Sequence, residues 1–243
     1  MAAIDSACVA PCTRFGRRQR DYHQSIMIRL RTVLVSLPIV IEDDQGDPWV
    51  SGFAKQPVHG QVAVQRDHLA GDGQADRTVH GGSEKAVFGY SGDHYPAWST
   101  ELGEALADGA FGENLTLTGI DEDRVAIGDV FQLGTAIIQV SQPRQPCWKL
   151  ARRHRLPSLP AQAIANGRLG WYFRVLTEGH VAAGETLTLK DRPHPSWTIA
   201  RINRLFFGPR AALQNLLTEA ALLPAMSPEF LAICQRRLAP MSS

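Results

Sequence analysis

Residues 130–150 read VFQLGTAIIQVSQPRQPCWKL. Val130–Leu133 and Ala136–Val140 are short runs rich in β-branched and aromatic residues, and Gly134-Thr135 between them reads as a turn. The second run leads into a loop stiffened by Pro143 and Pro146 that carries Cys147 between Arg144 and Lys149. Similar runs recur on both sides: Ile28–Val35, Val58–Val64, Lys85–Tyr90, Trp171–Leu176 and Thr186–Lys190. Gly, Pro and Asp separate them, and Gly128-Asp129 and Ala183-Gly184-Glu185 read as further turns. Short strands at this spacing favour a barrel or sandwich over a parallel α/β sheet, and no Gly-rich strand-to-helix nucleotide loop appears. The fold class is therefore mainly β with α.

Helical spacing of His94, Tyr95, Trp98, Leu102 and Leu106 predicts a helix over 92–106, and Leu159–Asn166 predicts another, stopped by Gly167. After Pro193 and Pro195 the texture changes. Thr198–Phe207, Arg210–Leu223 and Pro228–Leu238 read as three amphipathic helices, with Ser227 as an N-cap ahead of Pro228 and Glu229. This divides the chain into an N-terminal extension (1–26), a β domain (27–192) and a helical unit (193–243) that packs on it. The extension is rich in arginine, with no apolar period, and reads as disordered or as lying upstream of a start at Met27.

The 243 residues are 44% hydrophobic and 20% charged, an ordinary globular composition. Twenty-five Lys and Arg against 24 Asp and Glu leave a net charge of +1, without the basic excess of a nucleic-acid reader. A helix-turn-helix role for the arginine-bearing C-terminal helices has no other support. The longest apolar run, Val33–Ile41, is interrupted by Ser36 and Pro38 and is too short to span a bilayer. No signal peptide is visible, so the four cysteines (Cys8, Cys12, Cys147 and Cys234) point to a reducing, cytoplasmic setting.

Four segments have compositions unlike ordinary core. Gly71–Asp76 followed by Val79–Ala86 is dense in glycine, which lets backbone N–H groups approach an anion; Arg77, His80 and Lys85 add charge. By itself this is equally a tight loop with solvated charges. Phe111–Thr116 presents Asn114, whose amide suits a heterocycle edge or a self-bonded turn. In the loop 140–150, cations beside Cys147 favour the thiolate, the nucleophilic and metal-binding form. Cys234, inside an apolar helix, reads as inert core. Gly170–Val175 reads as an aromatic-faced strand in which Arg174 is either a ligand contact or an edge arginine.

In this order, SGFAK (51–55), GDGQAD (71–76), VHGGSEKAV (79–87), FGENLT (111–116), Gly128-Asp129, QVSQPRQPCWKL (139–150), GWYFRVL (170–176) and Gly184 resemble the MOSC family, named for the C-terminal domain of molybdenum cofactor sulfurase. The likeness is to its YiiM-type branch, associated with resistance to 6-N-hydroxylaminopurine, and the C-terminal helices resemble that branch's three-helix domain. Gly89-Tyr90-Ser91-Gly92 departs from the pattern, where a Tyr-Pro pair is more usual. The resemblance implies a MOSC-type β-barrel that binds a molybdenum–pterin cofactor (molybdopterin), with Cys147 as the metal ligand. Arg77, His80, Gly81, Gly82, Lys85, Asn114 and Arg144 are placed around that cofactor.

The implied activity is reduction of a small N-hydroxylated substrate, with His80 as proton donor and Asp72 or Asp76 as alternatives. No flavin, nicotinamide or iron–sulfur motif is evident, so a separate flavoprotein or ferredoxin-type electron donor is implied. A sulfur carrier using a Cys147 persulfide, or a carrier of cofactor without turnover, also fits the resemblance. No membrane partner is expected, and a homodimer is compatible with this reading.

Overall fold

The computed structural model describes residues 27–44, 46–75, 81–209 and 214–239. Eight strands form one sheet in the order β12-β8-β9-β10-β6-β7-β1-β4. These are β1 (Arg29–Val35), β4 (Gln56–Pro57), β6 (Val87–Ser91), β7 (Leu115–Thr118), β8 (Val130–Leu133), β9 (Ala136–Pro143), β10 (Trp171–Thr177) and β12 (Leu187–Asp191). Neighbours pair antiparallel except β6 with β7. The sheet curls until its ends meet: the N–H of Leu30 donates to the Glu185 carbonyl, and the N–H of Leu187 donates to that of Ile28, each at 2.9 Å. Two short pairs stand outside it, β2 (Ile39–Ile41) with β3 (Trp49–Ser51), and β5 (Val62–Val64) with β11 (Gly179–Val181).

Alternation along β8 and β9 sends Phe131, Leu133, Ile138 and Val140 into the barrel, where they meet Phe173 and Trp171 of β10. Full burial of such side chains contributes about 1.5–3 kcal/mol each. The C-terminal helices α4 (Ile199–Phe207), α5 (Gln214–Ala220) and α6 (Pro228–Leu238) share this core through Ile199, Ile202, Leu205, Leu217 and Phe230. A second core, built on Tyr90, Trp98 and Phe111, lies under α1 (Tyr95–Leu102), α2 (Trp148–Arg153) and α3 (Leu159–Asn166).

Several boundaries depart from expectation for local reasons. The run 58–64 is not one strand: Gly60, at φ +86°, separates β4 from β5. Ser83–Lys85 is a turn of 3₁₀ helix, so the strand starts only at Val87. The helix expected over 92–106 opens with a 3₁₀ turn and stops at Leu102, because Gly103 takes the left-handed conformation. Ser227 does cap α6, its hydroxyl accepting from the Phe230 N–H at 3.3 Å. Tyr90, where the departure from the family pattern lies, is buried, stacks on Phe111 at 4.5 Å and accepts a 2.6 Å bond from the Trp98 indole N–H.

The second core rests on a buried carboxyl. Glu113 accepts from the Tyr95 hydroxyl (2.5 Å), the Gly109 N–H (2.8 Å), the Phe111 N–H (3.2 Å) and the Thr116 hydroxyl (2.9 Å). Glu113→Ala strands these donors, and we expect it to cost about 3–5 kcal/mol in a denaturant titration. Burial holds the Glu113 pKa above the ordinary 4.5. The folded chain therefore keeps a proton that the unfolded chain loses, and this group's contribution to stability falls as pH rises above about 4.5. Glu113→Gln, which does not titrate, is expected to gain on the wild type over that rise.

Candidate functional site

The loop between β9 and α2 is the centre of the site. β9 pairs with β10 in a register that sets Gln142 beside Tyr172 and Pro143 beside Trp171. The Arg144 N–H then donates to the Gly170 carbonyl at 3.1 Å, tying the loop to the barrel's end. Cys147, extended at φ −112° and ψ 170°, ends the loop and immediately precedes α2. That helix is held by Arg152, which reaches both Asp43 carboxylate oxygens and the Asp47 carbonyl. Lys149 donates to the Val50 carbonyl at 3.2 Å, and Trp148 lies 5.3 Å from Trp49. The Cys147 position thus derives from a rigid strand on one side and a clamped hairpin on the other.

Cys147 lines two adjoining hollows. The first, about 680 Å³ with its open mouth included, has Arg144, Lys55, Lys85, Lys149, Gly81, Asn114 and Phe88 on its walls. The second, about 1100 Å³ on the same basis, lies toward Trp148 and shares Lys85, Lys149, Tyr172 and Cys147 with the first. Arg144 is 4% exposed, its guanidinium 5.5 Å from the centre of the Phe88 ring. Among the described residues its Nη1 is buried without a hydrogen-bond partner. A buried, unpaired guanidinium nitrogen is costly unless an anion completes it.

The other predicted residues divide clearly. Gly81, Lys85, Asn114 and Arg144 come together with Cys147 around the first hollow. Gly82 adjoins Gly81 at the turn; the pair sits at φ +109° and +83°, a bend that glycine makes without strain. Arg77, His80 and Asp76 lie outside the described residues. Asn114 lines the hollow, but its amide is engaged: Oδ1 accepts from the Phe88 N–H at 3.0 Å and Nδ2 donates to the Leu34 carbonyl at 3.2 Å. It holds the floor together by stitching β1, β6 and β7. Asp72 accepts from the Ser36 N–H and the Lys55 ammonium, so it anchors a loop and a lysine. Arg174 pairs with Glu84 at 2.5 Å and donates to the Ala225 carbonyl at 2.8 Å, as a structural arginine.

Sequence reasoning gave Lys149 only as a cation beside Cys147 and assigned no site role to Lys55, Tyr172 or Glu229, all of which line the two hollows. Lys55 is buried beside Asp72; burial pulls its ammonium pKa down, against the pull of that carboxylate. The signal for Lys55 was Gly52 just ahead of it, where any Cβ would collide with the Gly73 carbonyl oxygen across the mouth of the hollow. Burial pushes the Tyr172 phenol up to about 12, so it keeps its proton at neutral pH. Glu229, in the first turn of α6, pairs with Lys85 at 2.5 Å. Nothing local to Glu229 in the sequence announces that contact.

The curled barrel thus brings to one cleft a partly buried thiol and an arginine whose Nη1 is buried without a hydrogen-bond partner among the described residues. A family model of the MOSC domain matches residues 76–188, and one of the YiiM-like, 3-alpha helix domain matches residues 197–239. The protein YflK of Bacillus subtilis, itself uncharacterized, is 41% identical over 197 residues, covering 80% of this chain and 89% of YflK. A protein named reductase from Gibberella moniliformis is 39% identical over 197 residues, 79% of this chain but only 35% of that longer protein. The crystal structure of YiiM from Geobacillus stearothermophilus superposes with a TM-score of 0.75 at 36% identity, covering 87% of this chain and all of that one. The chain belongs to the MOSC family, in the branch that carries the YiiM-like helical domain.

Proposed function

We propose that this protein binds a molybdenum–pterin cofactor in the first hollow, with Cys147 as the protein's ligand to the metal, and that it reduces N-hydroxylated compounds. The observation that carries the reading is the Arg144 Nη1, buried without a partner among the described residues, in the same hollow as Cys147 in a chain of this family. The residues fit the group. Arg144 and Lys149 offer positive charge to a pterin phosphate, Lys55 and Lys85 stand beside them already paired with Asp72 and Glu229, Phe88 and Phe111 offer flat apolar walls, and Gly81 and Gly112 keep the backbone close. A thiolate is a soft ligand suited to such a metal. Among the described residues no three His, Cys, Asp or Glu side chains converge. The remaining ligands would then come from the cofactor's own sulfurs.

When bound, the group supplies two-electron redox chemistry at the metal. The net reaction is R–NHOH + 2e⁻ + 2H⁺ → R–NH₂ + H₂O, with the electrons drawn from a separate flavoprotein or ferredoxin-type donor. The chain's own residues hold charge and protons. Arg144 and Lys149 offset the anion, and Tyr172 stays an O–H donor on the wall shared by both hollows. His80 is the proposed source of the proton for the departing hydroxyl. No helix among the described residues is long and apolar enough to cross a membrane.

The test is expression in a molybdate-replete host with a working cofactor pathway, followed by reduction of an aryl hydroxylamine with an artificial electron donor. Amine formation that tracks bound molybdenum is expected. A chain that loads molybdenum but yields no amine would be a carrier, and sulfane sulfur on a metal-free chain would indicate sulfur transfer.

A further inference from the structure

The segment on which the Arg144 loop hangs is held by one side chain outside both hollows. Glu122 is buried, at 4% exposure, and lines neither hollow. Its Oε1 accepts from two successive main-chain donors, the Leu169 N–H at 3.0 Å and the Gly170 N–H at 2.7 Å. Its Oε2 lies 2.7 Å from His94 Nε2. The Gly170 carbonyl is the next link, because it accepts the Arg144 N–H. The Glu122 carbonyl accepts the Ala200 N–H at 2.8 Å, so the first turn of α4 fixes the Glu122 backbone. The Tyr90 hydroxyl adds a longer tie to the Arg168 carbonyl at 3.4 Å. Among the described residues nothing grips the Arg144 Nη1, so the aim of the guanidinium depends on where its main chain is held.

We infer that Glu122 is a positioning residue for the anion site: it holds residues 168–170, and through the Gly170 carbonyl it holds Arg144 ready to meet an anion in the first hollow. Ordering the site before the ligand arrives removes a cost that binding would otherwise carry. This deepens the proposed function and rests on its reading of the first hollow as an anion site. The reach of the Glu122 side chain does the holding. Its negative charge would by itself oppose a nearby anion, so a role through geometry and a role through charge predict opposite signs.

Titration calorimetry of the full chain with inorganic phosphate tests this without metal or cofactor. Glu122→Asp keeps the charge and loses one methylene of reach, and it should bind phosphate about tenfold more weakly, as for loss of one charge-assisted contact. Glu122→Gln keeps the reach and an acceptor for both N–H groups, and should recover most of that loss. His94→Ala frees Oε2 without altering Glu122 and is a second route to the same effect, with a loss of about threefold. A double-mutant cycle separates positioning from general damage to the fold. The Glu122→Asp loss should vanish from the residual phosphate binding of Arg144→Met and persist in Lys149→Met. The inference is overturned if neither Glu122→Asp nor His94→Ala weakens phosphate, if Glu122→Gln is as weak as Glu122→Asp, or if the loss is independent of Arg144. A wild-type chain that binds no phosphate overturns this inference and the anion site together. Phosphate binding that needs Arg144 but not the reach of Glu122 overturns this inference alone.

Discussion

Cys147→Ser, expressed beside wild type in a molybdate-replete host, is expected to fold normally and to carry at least about tenfold less molybdenum. The fold should survive because Cys147 is only partly buried and ends a loop, and Ser is a good residue ahead of a helix. The metal should be lost because an alcohol is a hard, weakly acidic ligand where the site offers a soft thiolate. Metal analysis and circular dichroism on the same preparations check both halves. Equal molybdenum in the two chains would remove Cys147 from the metal and with it the proposed chemistry.

Arg144→Met should move stability and binding in opposite directions. In the ligand-free chain the guanidinium is 4% exposed with a buried Nη1 lacking any partner among the described residues. Methionine is similar in length and lets Phe88 keep an apolar neighbour. Relief of a buried, poorly satisfied cation is worth about 1–2 kcal/mol, which for a chain of this size raises Tm by roughly 2–8 °C. Anion binding in the first hollow should fall by at least about tenfold, because a charge-assisted contact contributes about 1.5–3 kcal/mol. A thermal melt and a phosphate titration read the two effects. A destabilised variant with unchanged phosphate affinity would make Arg144 a structural residue only.

Much of this molecule was legible from its residues. The hairpin of β8 and β9 follows from β-branched runs around Gly134-Thr135, and α3 ends where Gly167 turns left-handed. Cys147 and Arg144 stood out because prolines and cations surround a thiol just after a strand. What failed was anything decided by distant packing. Leu115 and Thr116 closed the segment Phe111–Thr116 and were not read as a strand, yet they open β7, because β1 and β6 flank it and bury it. Asn114 read as either a heterocycle contact or a self-bonded turn; its amide is occupied instead by two backbone segments that sequence distance hides. The hairpin of β2 and β3 is short and mostly exposed, and carries too weak a pattern to find. Lys55 and Glu229 reach the cleft from opposite ends of the chain, so only the closed barrel brings them together.

The apolar interior that runs unbroken from Phe131 and Phe173 into Ile202 and Phe230 has a practical corollary. Neither portion of the polypeptide is an exchangeable module. Cutting ahead of Trp197 would uncover greasy surface on both fragments and strip Glu229 from its lysine in the same stroke. Swapping helical tails between relatives would therefore change which side chain faces Lys85 as well as the outer shape.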